Sequence, residues 1–313
     1  MKLSACALTF LVPVATCSQL IAQTTQTTEP ARAGWETHLP PQIDPARADA
    51  TSTDPGNSTS PALHTGFVEF LSDRLAPFEP MYIVAGTERP NAKFQISLRY
   101  QIFNNDGGIA KTFPPLSGLN LAYSQTSFWD LKGKSKPFFD NSYRPELNLF
   151  YDDIVDPDEL SFFSHIGLIA GVQHESNGDD GTDSRNMNFV YIRPMFTVGD
   201  RDNDGLFITF APRVHTYFGD MSNNSDIERY RGYFDLRFVV GQGGGLQAAF
   251  TGRIGSGWDK GSIQMDLTYP LRKLLFGSVD FYADLQVFNG FGESLKEYDQ
   301  SDTTVRIGVA LVR

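Results

Sequence analysis

The chain alternates. Phe94, Ile96, Leu98, Tyr100 and Ile102 interleave with Lys93, Gln95, Ser97, Arg99 and Gln101. The same period of two returns in Ile263, Met265, Leu267, Tyr269 and Leu271, in Val279, Phe281, Ala283, Leu285 and Val287, and in Val305, Ile307, Val309 and Leu311. On a strand, side chains two apart share a face, so each run is a strand with one greasy and one polar face. No stretch of this region carries the 3.6-residue apolar period of an amphipathic helix. Such runs begin near Met81, Lys93, Leu119, Tyr143, Phe162, Asn186, Leu206, Tyr230, Leu246, Ser262, Ser278 and Thr303. That makes about twelve strands of roughly ten residues, the even count and the length of a barrel that crosses a bilayer.

Alternation alone leaves two architectures open. In a soluble β-sandwich the apolar faces pack together and the polar faces meet water. In a transmembrane antiparallel β-barrel the apolar faces turn outward to lipid and the polar faces fill the lumen. The start of the chain favours export. Lys2 followed by the mostly apolar Leu3–Ile21, with Leu20-Ile21-Ala22 as a cleavage site, reads as a signal peptide over residues 1–22. Both cysteines, Cys6 and Cys17, fall inside it, so a chain cleaved there has no thiol and no disulfide. Residues 23–66, rich in Thr, Pro, Ala and Asp and without any period, read as a disordered lead-in. Residues 67–313 then form the barrel domain. Mean hydropathy is −0.26, which argues against a helical membrane bundle but not against a barrel. A net charge of −11 excludes a general nucleic-acid footprint.

One strand end carries chemistry. His174 and Ser176 sit two apart and continue the greasy face of Ile166, Leu168, Ala170 and Val172, and Asn188 opens the greasy face of Val190, Ile192, Pro194 and Phe196. Serine needs a base to take its proton, and the base works best with a third group holding its other nitrogen. Ser176 is therefore the candidate nucleophile, His174 its base and Asn188 the orienter. An uncharged orienter suits surroundings where a buried carboxylate is costly. If the chain turns at residues 177–185, His174 and Asn188 come opposite each other in a hairpin. Gly178 can offer a bare backbone N–H to an oxyanion. Asp179, Asp180, Gly181, Thr182, Asp183 and Ser184 form an oxygen-rich loop that suits calcium, although composition alone also describes an exposed polar turn. Asp200–Gly205 begins like an EF-hand loop but has Ala211 at the twelfth position, so it reads as a periplasmic turn. His165 and His215 read as lone, structural or solvated histidines.

His174-Glu175-Ser176-Asn177-Gly178, then Ser184-Arg185 and Asn188, resembles the signature of the bacterial outer-membrane phospholipase A family. Tyr123-Ser124-Gln125, Trp129, Pro137-Phe138, Tyr143, Pro145, Tyr269-Pro270 and Gly290–Leu295 extend the resemblance over residues 80–313. It implies a twelve-stranded outer-membrane barrel, active as a homodimer and dependent on calcium, that hydrolyses acyl esters of glycerophospholipids at either position and of lysophospholipids. It further implies that calcium is held by the backbone carbonyls of Asp179 and Ser184 and the hydroxyl of Ser135 from the other subunit. The oxyanion would be met by the Gly178 N–H and a calcium-bound water, and Gln125 would hydrogen-bond across the dimer within the membrane. A non-catalytic porin or structural barrel is the alternative; it requires a wide, open lumen.

Overall fold

The computed structural model describes residues 74–133, 138–275, 277 and 279–313. The expected signal peptide and lead-in lie outside the described residues, and so does Ser135. The strands are β1 (Leu75–Pro77), β2 (Met81–Gly86), β3 (Ala92–Gln101), β4 (Leu119–Trp129), β5 (Phe138–Tyr151), β6 (His165–Ser176) and β7 (Asn186–Gly199). They continue with β8 (Leu206–Phe218), β9 (Phe234–Gln242), β10 (Gln247–Ile254), β11 (Gly261–Pro270), β12 (Tyr282–Phe291) and β13 (Ser301–Val312). Every pairing is antiparallel and joins sequence neighbours, except that β1 pairs with β3 and that β13 meets β2 and closes the sheet. β1 and β2 both pair along β3, Leu75 opposite Tyr100 and Tyr82 opposite Gln95. They are two halves of one strand broken at Phe78–Pro80, so thirteen segments fill twelve positions of a closed barrel.

Exposure decides between the two architectures. On β13, Arg306 is 1% exposed and Ile307 is 68% exposed. On β11 and β8, Ile263, Ile208 and Phe210 are likewise outside, whereas Lys93, Gln95 and Ser97 of β3 are buried. A soluble sandwich inverts this pattern; an apolar exterior around a polar lumen needs lipid. The boundaries depart from the sequence reading in several places: β6 starts at His165 rather than at the expected Phe162, and β12 at Tyr282 rather than at the expected Ser278. β5 begins at Phe138, five residues ahead of Tyr143, because Trp129 and Phe138 extend the β4–β5 ladder past a register shift. Tyr230 opens no strand; Glu228–Arg231 makes a helical turn and β9 starts at Phe234.

The lumen is crossed by side chains. Arg306 and Lys93 meet Glu293 at 2.5 and 3.4 Å, Arg231 meets Glu175 at 3.0 Å, and Arg253 meets Asp235 at 3.2 Å. Phe78, at the break between β1 and β2, turns inward and packs edge-on against Phe150 with ring centroids 6.4 Å apart. This is not the open bore a porin requires. Behind the β6–β7 hairpin, Met187, Phe189, Ile227 and Leu295 form a buried apolar cluster that fixes the hairpin from within.

Candidate active site

β6 and β7 form the hairpin expected of residues 177–185, with His174 opposite Asn188 and Ser176 opposite Asn186. All three candidate residues fall on the outward register. Val172 and Val190, the next outward positions, are 48% and 44% exposed, and the inward Glu175 and Met187 are buried. Asn188 Oδ1 lies 2.9 Å from His174 Nδ1. A carbonyl oxygen only accepts, so Nδ1 carries the proton and Nε2 keeps its lone pair for a base's work. Ser176 stands one strand repeat, about 7 Å of backbone, further along the same face. Its hydroxyl makes no hydrogen bond to the imidazole among the described residues; side-chain rotation brings such pairs together when substrate binds.

The loop after Ser176 is held by a residue the sequence reading did not single out. Asn177 is buried, and its amide works in both directions. Nδ2 donates to the Asp183 carbonyl at 2.8 Å, and Oδ1 accepts from the Arg185 and Asp179 amides at 2.9 and 3.3 Å. The Asn177 amide also donates to the Arg185 carbonyl at 3.1 Å. Its place was legible in principle: Asn177 continues the inward register of Gln173 and Glu175, where a polar group must find partners. Gly178 follows with φ +76°, and a Cβ there would come 2.8 Å from the Tyr143 ring. Only glycine fits both the left-handed backbone and that close approach. Tyr143 is the cross-strand partner of Ser176, so its ring lies beside both Ser176 and Gly178.

A second loop braces the first. Asp140 Oδ2 accepts the Leu295 and Lys296 amides at 2.7 and 2.8 Å. Lys296 Nζ then reaches Asp183 at 2.7 Å and Asp179 at 3.7 Å. That hydrogen bond holds the Asp183 carboxyl below the usual carboxylate range and the Lys296 ammonium above its own. Arg185 lies over the Tyr298 ring at 5.8 Å. Asn224 Oδ1 accepts the Asn186 amide at 3.0 Å, fixing the start of β7.

The loop offers oxygen donors of the kind a hard cation takes. The Ser184 carbonyl accepts from Arg185 Nη1 at 2.8 Å, so it already points toward positive charge and retains a second lone pair. Ser184 Oγ accepts from Asn223 at 3.2 Å. Among the described residues no cluster of three or more His, Cys, Asp or Glu is arranged for a metal, so carbonyl and hydroxyl oxygens would have to dominate the set.

Gln125 also faces outward, on β4, opposite Tyr143. Register therefore sets Gln125, Tyr143 and Ser176 in one row across three strands of the exterior. Tyr123 donates to Gln125 at 2.9 Å, Gln125 to Ser127 at 3.0 Å, and Ser127 to Asn141 at 2.8 Å, a polar chain on a lipid-facing surface. The two other histidines on strands are structural. His165 is not alone as read from the sequence: it sits between Asp153 at 3.1 Å and Asp202 at 3.2 Å, tying two turns at the end of the barrel away from the site. His215 is buried in the lumen beside Tyr217. Asp200–Gly205 is the turn between β7 and β8, as read.

The phospholipase A1 family profile matches residues 75–311. A phospholipase A1 of Proteus vulgaris is 31% identical over 226 residues, covering 71% of this chain and 70% of its own length. That of Escherichia coli K12 is 30% identical over the same span. In three dimensions the chain is similar to outer membrane phospholipase A from Escherichia coli, with a TM-score of 0.62 at 24% identity over 76% of this chain and 98% of that one. It is similar to the same degree to a Salmonella typhi outer membrane phospholipase described as a dimer with bound calcium, over 76% of this chain and 92% of that one. The closed barrel with its apolar exterior places the protein in the bacterial outer membrane. With a family profile spanning the barrel and relatives near one-third identity over most of their length, the chain belongs to the phospholipase A1 family.

Proposed function

We propose that this outer-membrane phospholipase cleaves the acyl esters of glycerophospholipids and lysophospholipids with a Ser176–His174–Asn188 triad facing the outer leaflet. Ser176 Oγ attacks the ester carbonyl carbon and gives its proton to His174 Nε2. Asn188 Oδ1 keeps the imidazole oriented through Nδ1–H and steadies the imidazolium that forms. The Gly178 N–H would meet the developing oxyanion. His174 then returns the proton to the leaving lysolipid oxygen, and water activated by the same imidazole releases fatty acid from the acyl-serine. The observation that carries this reading is the 2.9 Å bond between His174 and Asn188 on the lipid-facing side of the barrel. A lumenal triad would have no lipid to act on.

Calcium is read as the cofactor, held by the carbonyls of Asp179 and Ser184 with Ser135 of the partner subunit. When bound it would supply positive charge beside the oxyanion. The homodimer reading rests on the outward polar chain through Gln125, which stands in the same row as Ser176 and would carry the membrane-embedded contact. A relative solved as a calcium-bound dimer supports both readings.

Asn188→Ala is expected to lower kcat for fatty-acid release roughly one hundredfold. That is less than the ~10⁴-fold loss when a charged orienter is removed, because Asn188 adds no charge to the pair. Activity within threefold of wild type would reject Asn188 as the orienter. Chelation of calcium from the pure protein in detergent micelles should cost about one hundredfold, the scale of one lost oxyanion donor, and be reversed by added calcium. An enzyme indifferent to chelator would remove the metal from the proposal and leave the triad standing.

A further inference from the structure

The lumen keeps a cavity of about 270 Å³, and its wall has more guanidinium groups than carboxylates can satisfy. Arg144, Arg193, Arg213 and Arg237 line it along β5 and β7–β9, facing Glu79 from the break between β1 and β2. Arg213 is spoken for, since its cross-strand neighbour Asp235 accepts from its Nε at 2.5 Å. Arg253 shares that same carboxylate. The other three have less. Arg144 donates from Nη2 to Gln95 and Thr126, both neutral and both at 3.0 Å, and Arg144 and Arg193 reach Glu79 only at 3.8 and 3.9 Å, beyond hydrogen-bonding distance. The Nε atoms of both are buried without a partner. Arg193 makes no hydrogen bond among the described residues. Arg237 makes neither a hydrogen bond nor an ion pair among them, because its cross-strand neighbours are Ala211 and Thr251. The luminal carboxylates Asp266 and Asp284 stand on β11 and β12, and Asp266 is engaged by Gln264 and Gln286.

Three guanidiniums around one distant carboxylate leave an excess of positive charge, and unpaired N–H donors chiefly of Arg193 and Arg237, on the cavity wall. Buried charge without a hydrogen-bonded partner is costly, and the fork of arginine donors matches tetrahedral oxyanions. We propose that Arg144, Arg193 and Arg237 form a luminal binding site for a small oxyanion dianion of the phosphate or sulfate class. The cavity also touches Arg201, Gly243 and Arg313 at the barrel end opposite the candidate active site. The strand wall between lumen and lipid is closed, so an ion that reaches the cavity comes from water and is not a lipid headgroup. This site is separate from the outward-facing triad and stands whether or not the triad reading does.

The test is thermal unfolding and titration calorimetry of the full protein in detergent micelles, without calcium, in sodium phosphate, sulfate or chloride at matched ionic strength. Phosphate and sulfate are expected to raise Tm saturably and chloride not to. Arg237→Gln should weaken phosphate binding about tenfold or more, the effect of a lost hydrogen bond to a charged group. It removes no ion pair, so the variant is expected to fold. Glu79→Gln, which removes the competing carboxylate, should tighten binding. A wild-type Tm that follows ionic strength alone would overturn the site, as would equal phosphate affinity in wild type and both variants.

Discussion

Ser176→Ala is expected to abolish fatty-acid release from phospholipid, lowering kcat on the order of 10⁵-fold or more, to the residue left by binding and oxyanion stabilisation. The size of the loss follows from the proposed role: no other hydroxyl stands on the outward face of β6 or β7, where Ser176 is followed by the His174–Asn188 pair and then by Val172, Val190 and Ile192. The barrel should keep its strand circular dichroism and its Tm. Ser176 has neither a structural hydrogen bond among the described residues nor a place in the lumen network, so the serine-to-alanine change removes chemistry and not packing. Ser176→Cys separates this from a steric effect, since a thiol keeps the shape and restores a nucleophile of different pH dependence. Retention of more than a few per cent of activity by the alanine variant would show that another group attacks the ester.

Much of this was legible in the chain because a barrel writes its geometry with a period of two. Ile307 and Arg306 differ in exposure because neighbouring residues face opposite media, and the alternation of Val305, Ile307, Val309 and Leu311 records that directly. The same arithmetic put His174, Ser176 and Asn188 on the outer face. The pairing of His174 with Asn188 followed from one assumption, a turn at residues 177–185. What stayed hidden depends on long-range contacts. Asp140 receives backbone amides from Leu295 and Lys296, more than 150 residues away. Nothing local in Asp140 signals a loop clamp, and nothing local in Lys296 points to Asp179 and Asp183. The break at Phe78–Pro80 was equally silent, because a strand that folds inward for three residues leaves too short a disturbance in the alternation to read. Tyr230 misled for the opposite reason. Its aromatic neighbours suit a strand, yet Gly232 takes a left-handed φ of +64° and ends a helical turn there.

Asn177→Ala is expected to cost about a thousandfold in activity, more than removal of the orienter Asn188. Asn177 touches no substrate in the proposed mechanism; it positions the loop that does. Its side chain makes three of the bonds that close residues 177–185, to the Asp183 carbonyl and the Arg185 and Asp179 amides. Losing them frees Gly178 and the carbonyls of Asp179 and Ser184 together, so the proposed oxyanion donor and the proposed cation ligands would lose their aim at once. Misplacement by about 1 Å is enough for a hundredfold, and a lost oxyanion donor for as much again. The fold should lose only ~1–3 kcal/mol, because Asp183 and Arg185 leave backbone groups that water at the loop can reach. The calcium titration of activity distinguishes positioning from mere destabilisation. A loosened loop moves its midpoint to higher calcium and is partly rescued by excess ion, whereas a lower Tm alone leaves the midpoint where it was. Asn177→Asp keeps the acceptor for Arg185 and Asp179 but loses the donor to Asp183, and should fall between alanine and wild type. If the alanine variant kept both its midpoint and its rate within threefold, the brace from Lys296 and Tyr298 would be sufficient to hold the loop, and Asn177 would be only a buried polar residue satisfied by its surroundings.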